Sequence, residues 1–368
     1  MKYYIIAGER SGDLHGANLL LALKEKDPEA QFRGMGGEYM EDAGCTLFAH
    51  YKEMALMGFV EVLIHFRRVF KYLSAVKKDL LAYQPDALIL VDFAGFNMKM
   101  ATVATKKNIK VHYYISPKVW AWNQKRAYGI KKNVDKLYTI LPFEPEFFRK
   151  FDWEVDYVGN PLLDEINKFK PDEDFLSRYN LGTKPLIALL PGSRKQEVDK
   201  MLTTMIALKN NFQNVDWVIA GVRNLPSESY ELAIDAGIQV VYDKTYDILL
   251  NARAAVVTSG TATLETALFN VPQVVVYKTS RISYAIGMQL IKVAFASLVN
   301  LIVDREVVKE LIQGAYEPES VNAELRSILE DGAKREKVLE GYLELKKLLG
   351  NKKASQETAR LIYESISV

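Results

Sequence analysis

The chain has 368 residues, 49% of them hydrophobic and 26% charged, with a net charge of +2 and one cysteine, Cys45. That length leaves room for about two ordinary domains, and the composition is that of a soluble globular protein. No run reaches the roughly 18 apolar residues that a membrane-spanning helix needs, and a lone cysteine excludes an internal disulfide, which fits a reducing cytoplasm.

From the start of the chain, apolar β-rich runs alternate with helix-length amphipathic segments. Residues 1–8 read as a first strand and not as a signal peptide, because the apolar run is short and leads into Glu9 and Arg10. Strands are expected at 3–7, 32–34, 87–91, 111–116, 137–141 and 156–159, then at 186–190, 217–221, 239–242, 254–257 and 273–277. This alternation predicts βαβ units and parallel sheets, an α/β fold of two Rossmann-like doubly wound domains facing a cleft. A polar, Pro-containing stretch at 161–174 marks the boundary. It divides the chain into residues 1–165 and 166–350, with 351–368 as a C-terminal helix.

The first strand runs into Gly8-Glu-Arg-Ser-Gly-Asp-Leu-His-Gly16. Its glycines do not fit G-x-G-x-x-G, so a nicotinamide or flavin is not expected. Ser11, Gly12 and Asp13 form either a capped strand-to-helix turn or part of an acceptor site. A second turn, Gly34-Met-Gly-Gly37, adds another backbone open to close approach. Residues 54–71 are apolar and then basic. Val62, Phe66, Val69, Phe70 and Leu73 share a helical face that suits a core. Met57, Phe59, Val60 and Leu63, rimmed by Arg67, Arg68 and Lys71, suit either more core or interfacial membrane contact.

Asp92 closes the most apolar strand of the first half, where α/β folds collect catalytic groups. Burial there would raise its pKa towards that of a general base; an Asp capping the next segment is the alternative. In Tyr113-Tyr-Ile-Ser-Pro-Lys-Val-Trp-Ala-Trp122 the aromatics serve either sugar stacking or packing. Asp172-Glu-Asp174 resembles a metal–nucleotide triplet, but its place before residues 175–178 reads as a helix cap.

In the second half Leu190-Pro-Gly-Ser193-Arg194 repeats the strand-to-turn pattern, with Arg194 placed to meet a departing diphosphate or simply at the surface. The most informative stretch is Thr258-Ser259-Gly260-Thr261-Ala-Thr-Leu-Glu265. An apolar strand, a small-residue turn and a helix point free N–H groups at an anion. Glu265, one helical turn further in, can accept hydrogen bonds from sugar hydroxyls. No Walker loop occurs. The four histidines are scattered, and neither a metal-ligand cluster nor a G-x-S-x-G elbow is present, so no metal is expected.

Charge is unevenly spread. Residues 65–136 carry fifteen Lys/Arg against four Asp, a net +11 that leaves −9 for the rest of the chain. Such a segment is either a solvated face or a surface for an anion, a phosphorylated lipid or membrane fitting at least as well as nucleic acid, for which no binding motif is present.

Together these residues resemble the lipid-A-disaccharide synthases, a family of bacterial glycosyltransferases. The resemblance rests on Ala7-Gly-Glu-x-Ser-Gly-Asp13, Met54-x-x-Met-Gly58 with Val60-Glu-Val-Leu63, and Ser116-Pro-x-Val-Trp-Ala-Trp-x-Gln-Lys-Arg126. It continues through Leu141-Pro-Phe-Glu144, Leu190–Arg194, Ser259–Glu265 and the run from Asn300 to Gln313. It implies a GT-B fold whose last helix returns to the first domain. The implied reaction moves 2,3-diacylglucosamine from UDP-2,3-diacylglucosamine to the 6-hydroxyl of 2,3-diacylglucosamine 1-phosphate, with inversion, no metal and no cofactor. The product is the β-1,6 disaccharide with release of UDP.

Asp92 matches the family's expected base. Ser193, Arg194, Ser259, Gly260, Thr261, Glu265 and Asn300 match positions around UDP. The resemblance also implies peripheral contact with inner-membrane lipid on the cytoplasmic side, and it leans towards a homodimer. Three places depart from the family pattern: Gly95 stands where a second Asp is usual, Asn160 where His is usual, and Val299 begins an altered loop up to Arg305. Rival readings are a GT-B transferase using UDP-N-acetylglucosamine and a polyprenyl-linked acceptor, and a nucleotide-binding membrane adaptor without turnover.

Overall fold

Runs such as Ala87–Val91 have no polar face to offer water, so they belong in a sheet covered on both sides. The computed structural model describes residues 1–55 and 66–367, apart from the side chains of residues 54, 55, 66–70 and 286. In it all five residues of Ala87–Val91 are fully buried. Burying each such aliphatic side chain is worth about 1.5–3 kcal/mol. The chain divides into two compact units, residues 1–167 with 349–368, and residues 168–348.

The first unit holds seven parallel strands: β1 (Lys2–Ala7), β2 (Gln31–Gly36), β3 (Thr46–His50), β4 (Ala87–Val91), β5 (Lys110–Tyr114), β6 (Lys136–Thr139) and β7 (Asp156–Tyr157). Their order is β3-β2-β1-β4-β5-β6-β7, so the winding reverses between β1 and β4. Ala7 lies opposite Val91 in the register, and therefore Gly8 and Asp92 leave the sheet as neighbours at its reversal point. The helices Arg10–Lys26 and Ala354–Ile366 share one core, where Leu19, Leu20 and Leu23 cluster with Ala354, Ala359 and Ile362. Ser355 N donates to Asp164 at 3.0 Å, and Tyr157 Oη donates to Leu349 O at 2.8 Å, so the C-terminal segment is built into this unit.

The second unit repeats the plan with six parallel strands: β8 (Leu186–Leu190), β9 (Asp216–Gly221), β10 (Gln239–Tyr242), β11 (Ala252–Thr258), β12 (Gln273–Tyr277) and β13 (Lys309–Ile312). The order β10-β9-β8-β11-β12-β13 reverses between β8 and β11, and Leu190 lies opposite Val257. No described helix is long and apolar enough to cross a membrane.

Two strands were not expected, β3 and β13. Both sit at sheet edges, where polar residues such as Thr46, Lys309 and Glu310 break the apolar pattern. Neither expected cap forms as the sequence suggests. The helix at the first turn starts at Arg10, so Ser11 and Asp13 lie inside it. Asp174 stands at the start of Phe175–Arg178 without a side-chain cap. Asp172 instead pairs with Arg178 at 2.7 Å and Lys244 at 3.4 Å.

Candidate functional site

Ligands in doubly wound sheets gather beyond the carboxyl ends of strands, where the winding reverses. In the first unit that place is occupied by Asp92. Its φ of 44° and the φ of 46° at Phe93 are left-handed, as is the 64° of Ile115 at the end of neighbouring β5. For bulky or β-branched residues this conformation is strained, and it persists only where neighbours enforce it. Here they do: Asn97 Nδ2 donates to Asp92 O at 2.8 Å and to Val91 O at 3.2 Å, the Tyr113 hydroxyl donates to Asp92 O, and Asp92 N donates to Tyr114 O at 3.1 Å. Gly8 is required beside it, since a Cβ there would fall 2.1 Å from the Phe93 ring.

Burial pushes the Asp92 carboxyl above the ordinary aspartate range. The Lys118 charge, the Phe93 N–H and a side-chain hydrogen bond with Glu9 pull against that rise. The result is a carboxylate poised to hold a proton more readily than a surface Asp.

Asp13 does something the sequence did not suggest. Fully buried, it accepts from Gly37 N at 2.7 Å, Tyr39 N at 3.1 Å and Met40 N at 3.1 Å, and so caps the helix Glu38–Asp42 across the fold. Gly12 is buried below it, while Ser11 is exposed.

A third carboxylate, Glu144, organises the aromatic loop. It is fully enclosed and accepts from Ser116 Oγ at 2.5 Å, Trp120 Nε1 at 3.1 Å, Ile140 N at 3.0 Å and Leu141 N at 2.9 Å. Trp120 is therefore a packed anchor, edge-on to Phe143 at 5.0 Å. Trp122 is exposed under the Arg126 guanidinium, 5.2 Å from its ring centre, and Lys118 projects from the same loop. Asn160 caps its own turn, accepting from Leu162 N and donating to Ile140 O, both at 3.1 Å. Gly95 has nothing within 4 Å of an added Cβ.

In the second unit the register sets two turns side by side. One follows β8: Gly192 has φ 114°, and Glu197 accepts from Ser193 N at 3.1 Å and Arg194 N at 3.2 Å, fixing the start of the helix Lys195–Ala207. Ser193 and Arg194 are exposed, and among the described residues the Arg194 side chain pairs with Glu197, at 3.3 Å. The other turn follows β11, where Gly260 precedes the helix Thr261–Leu268. Both Gly260 and Thr261 are exposed, and a Cβ on Gly260 would meet nothing closer than Thr258 O at 4.0 Å. The space above this helix start is open to an anion, which its N–H groups and dipole favour.

Glu265 lies one turn in, with Tyr246 Oη donating to it at 3.0 Å. Burial raises its pKa and the tyrosine bond opposes the rise. Ser259 Oγ donates to Ala296 O at 2.8 Å. Asn300 is fully buried and its amide is committed: it donates to Val308 O and Glu310, both at 2.9 Å, and accepts from Val307 N and Val308 N at 2.8 and 3.0 Å. It ties the helix Leu298–Val303 to the start of β13.

Asn97, Tyr113, Glu144, Glu197 and Glu310 are the supporting residues that sequence reasoning passed over. Three of them stand in the quoted motifs, but most of their partners lie on other segments. Of the apolar-basic patch, Met57, Phe59, Val60 and Leu63 lie outside the described residues, as do the side chains of Arg67 and Arg68; Lys71 is exposed on the helix Phe66–Tyr83.

Comparison with known proteins agrees with this geometry. The model of the lipid-A-disaccharide synthetase family matches residues 3–363. The lipid-A-disaccharide synthase of Syntrophus aciditrophicus is 39% identical over 364 residues, covering 96% of this chain and 95% of that one. The enzyme of the same name from Coxiella burnetii is 34% identical over 367 residues, 98% of each. Among solved structures, the UDP-N-acetylglucosamine 2-epimerase of Neisseria meningitidis, bound to UDP-GlcNAc, superposes with a TM-score of 0.62 over 100% of both chains at 12% identity. A glycotransferase of kitacinnamycin gives 0.65 over 99% of both at 11% identity. At such identities the structural likeness speaks for the fold alone, an α/β GT-B fold of two Rossmann-like units.

Proposed function

The chain belongs to the lipid-A-disaccharide synthase family, and from that premise we propose that it joins two acylated glucosamines. The donor is UDP-2,3-diacylglucosamine and the acceptor is the 6-hydroxyl of 2,3-diacylglucosamine 1-phosphate. The products are the β-1,6 disaccharide and UDP. The observation that carries the nucleotide half of this reading is the pairing of turns 190–194 and 258–261 at the ends of adjacent β8 and β11.

In the proposed step the Asp92 carboxylate takes the proton of the acceptor hydroxyl. The hydroxyl oxygen forms a bond to the anomeric carbon as the bond from that carbon to the UDP oxygen breaks, and the anomeric configuration inverts. The departing electron pair stays on the diphosphate, where the N–H groups at the start of Thr261–Leu268 and the Arg194 guanidinium meet the new charge. Glu265, held by Tyr246, is the partner for the ribose hydroxyls. The step is drawn without a metal, the leaving-group charge being met by the helix start and Arg194.

Lys118, Arg126 and the exposed Trp122 suit the phosphorylated acceptor, on a first unit whose basic segment also faces anionic lipid at the cytoplasmic side of the inner membrane. The reading includes peripheral attachment through residues 57–71 and a homodimeric state, the latter checked by light scattering in detergent.

The test is UDP release in detergent micelles with both diacylated substrates and excess EDTA. Disaccharide formed at an undiminished rate is the expected result. Turnover only with UDP-N-acetylglucosamine and a polyprenyl acceptor would reassign the substrates. Turnover abolished by EDTA would refute metal independence.

A further inference from the structure

Between β12 and the helix Leu298–Val303 the chain leaves the second unit's sheet and returns to it, and both ends of the excursion are clamped, one from β13 and one from Gln313 just after it. At the near end the Gln313 amide accepts from Thr279 N at 3.0 Å and donates to Thr279 O at 2.8 Å. At the far end the Glu310 carboxylate accepts from Ala296 N at 2.8 Å and Ser297 N at 2.9 Å. Between the clamps lies the helix Arg281–Leu290, opened by Ser280, whose hydroxyl accepts from Ser283 N at 3.1 Å.

Held this firmly, the segment nevertheless leaves its apolar groups in water. Ile282 is 75% exposed, Met288 61%, Leu290 48% and Ile291 52%. Those are four large apolar side chains within ten residues. No other ten-residue stretch of the described chain exposes more than two. Single exposed leucines are ordinary, whereas a cluster marks a surface that meets something apolar.

Charge identifies what it meets. The excursion itself, residues 278–296, contains Lys278, Arg281 and Lys292 and no Asp or Glu, although the chain has 46 acids in 368 residues. An anionic bilayer attracts each Lys and Arg and repels acids, so an exposed apolar stretch with three basic residues and no acid is complementary to such a surface.

We propose that residues 278–296 form an interfacial anchor that sets the second unit on an anionic bilayer, with Ile282, Met288, Leu290 and Ile291 at the acyl boundary and Arg281 and Lys292 at the headgroups. It involves none of the residues of the 57–71 run and holds whatever the substrates prove to be. It also has a consequence for the site. Ser259 donates to Ala296 O, so the far end of the anchor is continuous with the nucleotide turn.

The experiment labels Met288→Cys in the full chain with an environment-sensitive nitrobenzoxadiazole. The one native cysteine, Cys45, is buried, so the label goes to position 288. Vesicles of phosphatidylcholine mixed with phosphatidylglycerol are expected to shift the emission to the blue, and vesicles of phosphatidylcholine alone are not. On the same background Arg281→Gln and Lys292→Gln should each weaken partitioning roughly fivefold. Ile282→Ser with Ile291→Ser should remove the shift; Ile291 is 52% exposed and keeps some packing, so the melting temperature of this variant is measured alongside and is expected to stay near that of the parent. The proposal is overturned if the chain sediments with anionic vesicles while the label stays in water, or if it fails to bind them. It is equally overturned by a blue shift that grows with protein concentration in the absence of vesicles, which would make the helix a contact between copies.

Discussion

The Asn97 side-chain amide donates to the main-chain carbonyl of Asp92 at 2.8 Å, spanning the first turn of the helix Ala94–Thr105. That bond, together with the one from the Tyr113 hydroxyl, holds two consecutive non-glycine residues in the left-handed region. Strain of this kind relaxes unless it is held, and its relaxation would swing the carboxyl away from where β4 delivers it.

Asn97→Ala removes one buried and one partly buried hydrogen bond and should cost about 1–3 kcal/mol of stability. The larger effect is expected on kcat, with UDP affinity unchanged, since the nucleotide turns belong to the other unit. Thermal unfolding and titration calorimetry separate the two. An Asn97→Ala enzyme with normal kcat would mean that the strained turn does not position the base.

The acid limb of the kcat/KM profile should reflect the raised pKa of Asp92. Lys118 favours the ionised form, so Lys118→Met is expected to move that limb to higher pH, and Lys118→Arg to restore it. An unmoved limb would assign it to another group.

Linkage gives the same carboxyl a stability signature. A raised pKa means the fold favours protonated Asp92: its stabilising share is complete below the unfolded aspartate pKa and is lost as pH rises through the folded value. Asp92→Asn should therefore gain melting temperature relative to wild type at neutral pH and lose that advantage in acid. A variant less stable than wild type at neutral pH would show instead that the charge holds the turn together.

Gly260→Ala adds a methyl to space that the fold leaves empty, on backbone any residue can adopt. Stability should be unchanged. UDP affinity should fall roughly tenfold or more, the value of one charge-assisted hydrogen bond. Unchanged affinity would place the diphosphate elsewhere.

Glu144→Ala would orphan four donors around the aromatic loop of the first unit, at a cost of about 1–3 kcal/mol for each donor that stays buried and unpaired. Glu144→Gln keeps the acceptor oxygen for part of the set and should be milder. Near-UV dichroism of Trp120 reports the outcome, and an unaltered spectrum in Glu144→Ala would show that the loop orders itself.

What could be read from the sequence was whatever depends on neighbours in the chain. The turn 258–261 announces itself because strand, small residues and helix are contiguous, and Asp92 because it ends an apolar run. Long-range chemistry left no such trace. Asp13 caps a helix 24–27 residues away, Glu144 gathers donors from two segments, and Glu310 braces Ala296 and Asn300 from an edge strand. Each is a carboxylate whose partners are backbone N–H or side-chain donors brought in by the fold, and nothing in the local pattern distinguishes it from a surface acid. The edge strands β3 and β13 escaped for a related reason, since one of their sides has no neighbour to demand apolar residues.

The measurement that bears most directly on the central claim is a single-turnover assay of Asp92→Asn in micelles, paired with UDP titration calorimetry on the same protein. The amide keeps the size of the carboxyl but cannot take a proton. The account predicts that disaccharide formation falls roughly 10²–10⁴-fold while the Kd for UDP stays at the wild-type value. Chemistry that survives, or nucleotide binding that weakens in step with it, would contradict the assignment of Asp92 as the base.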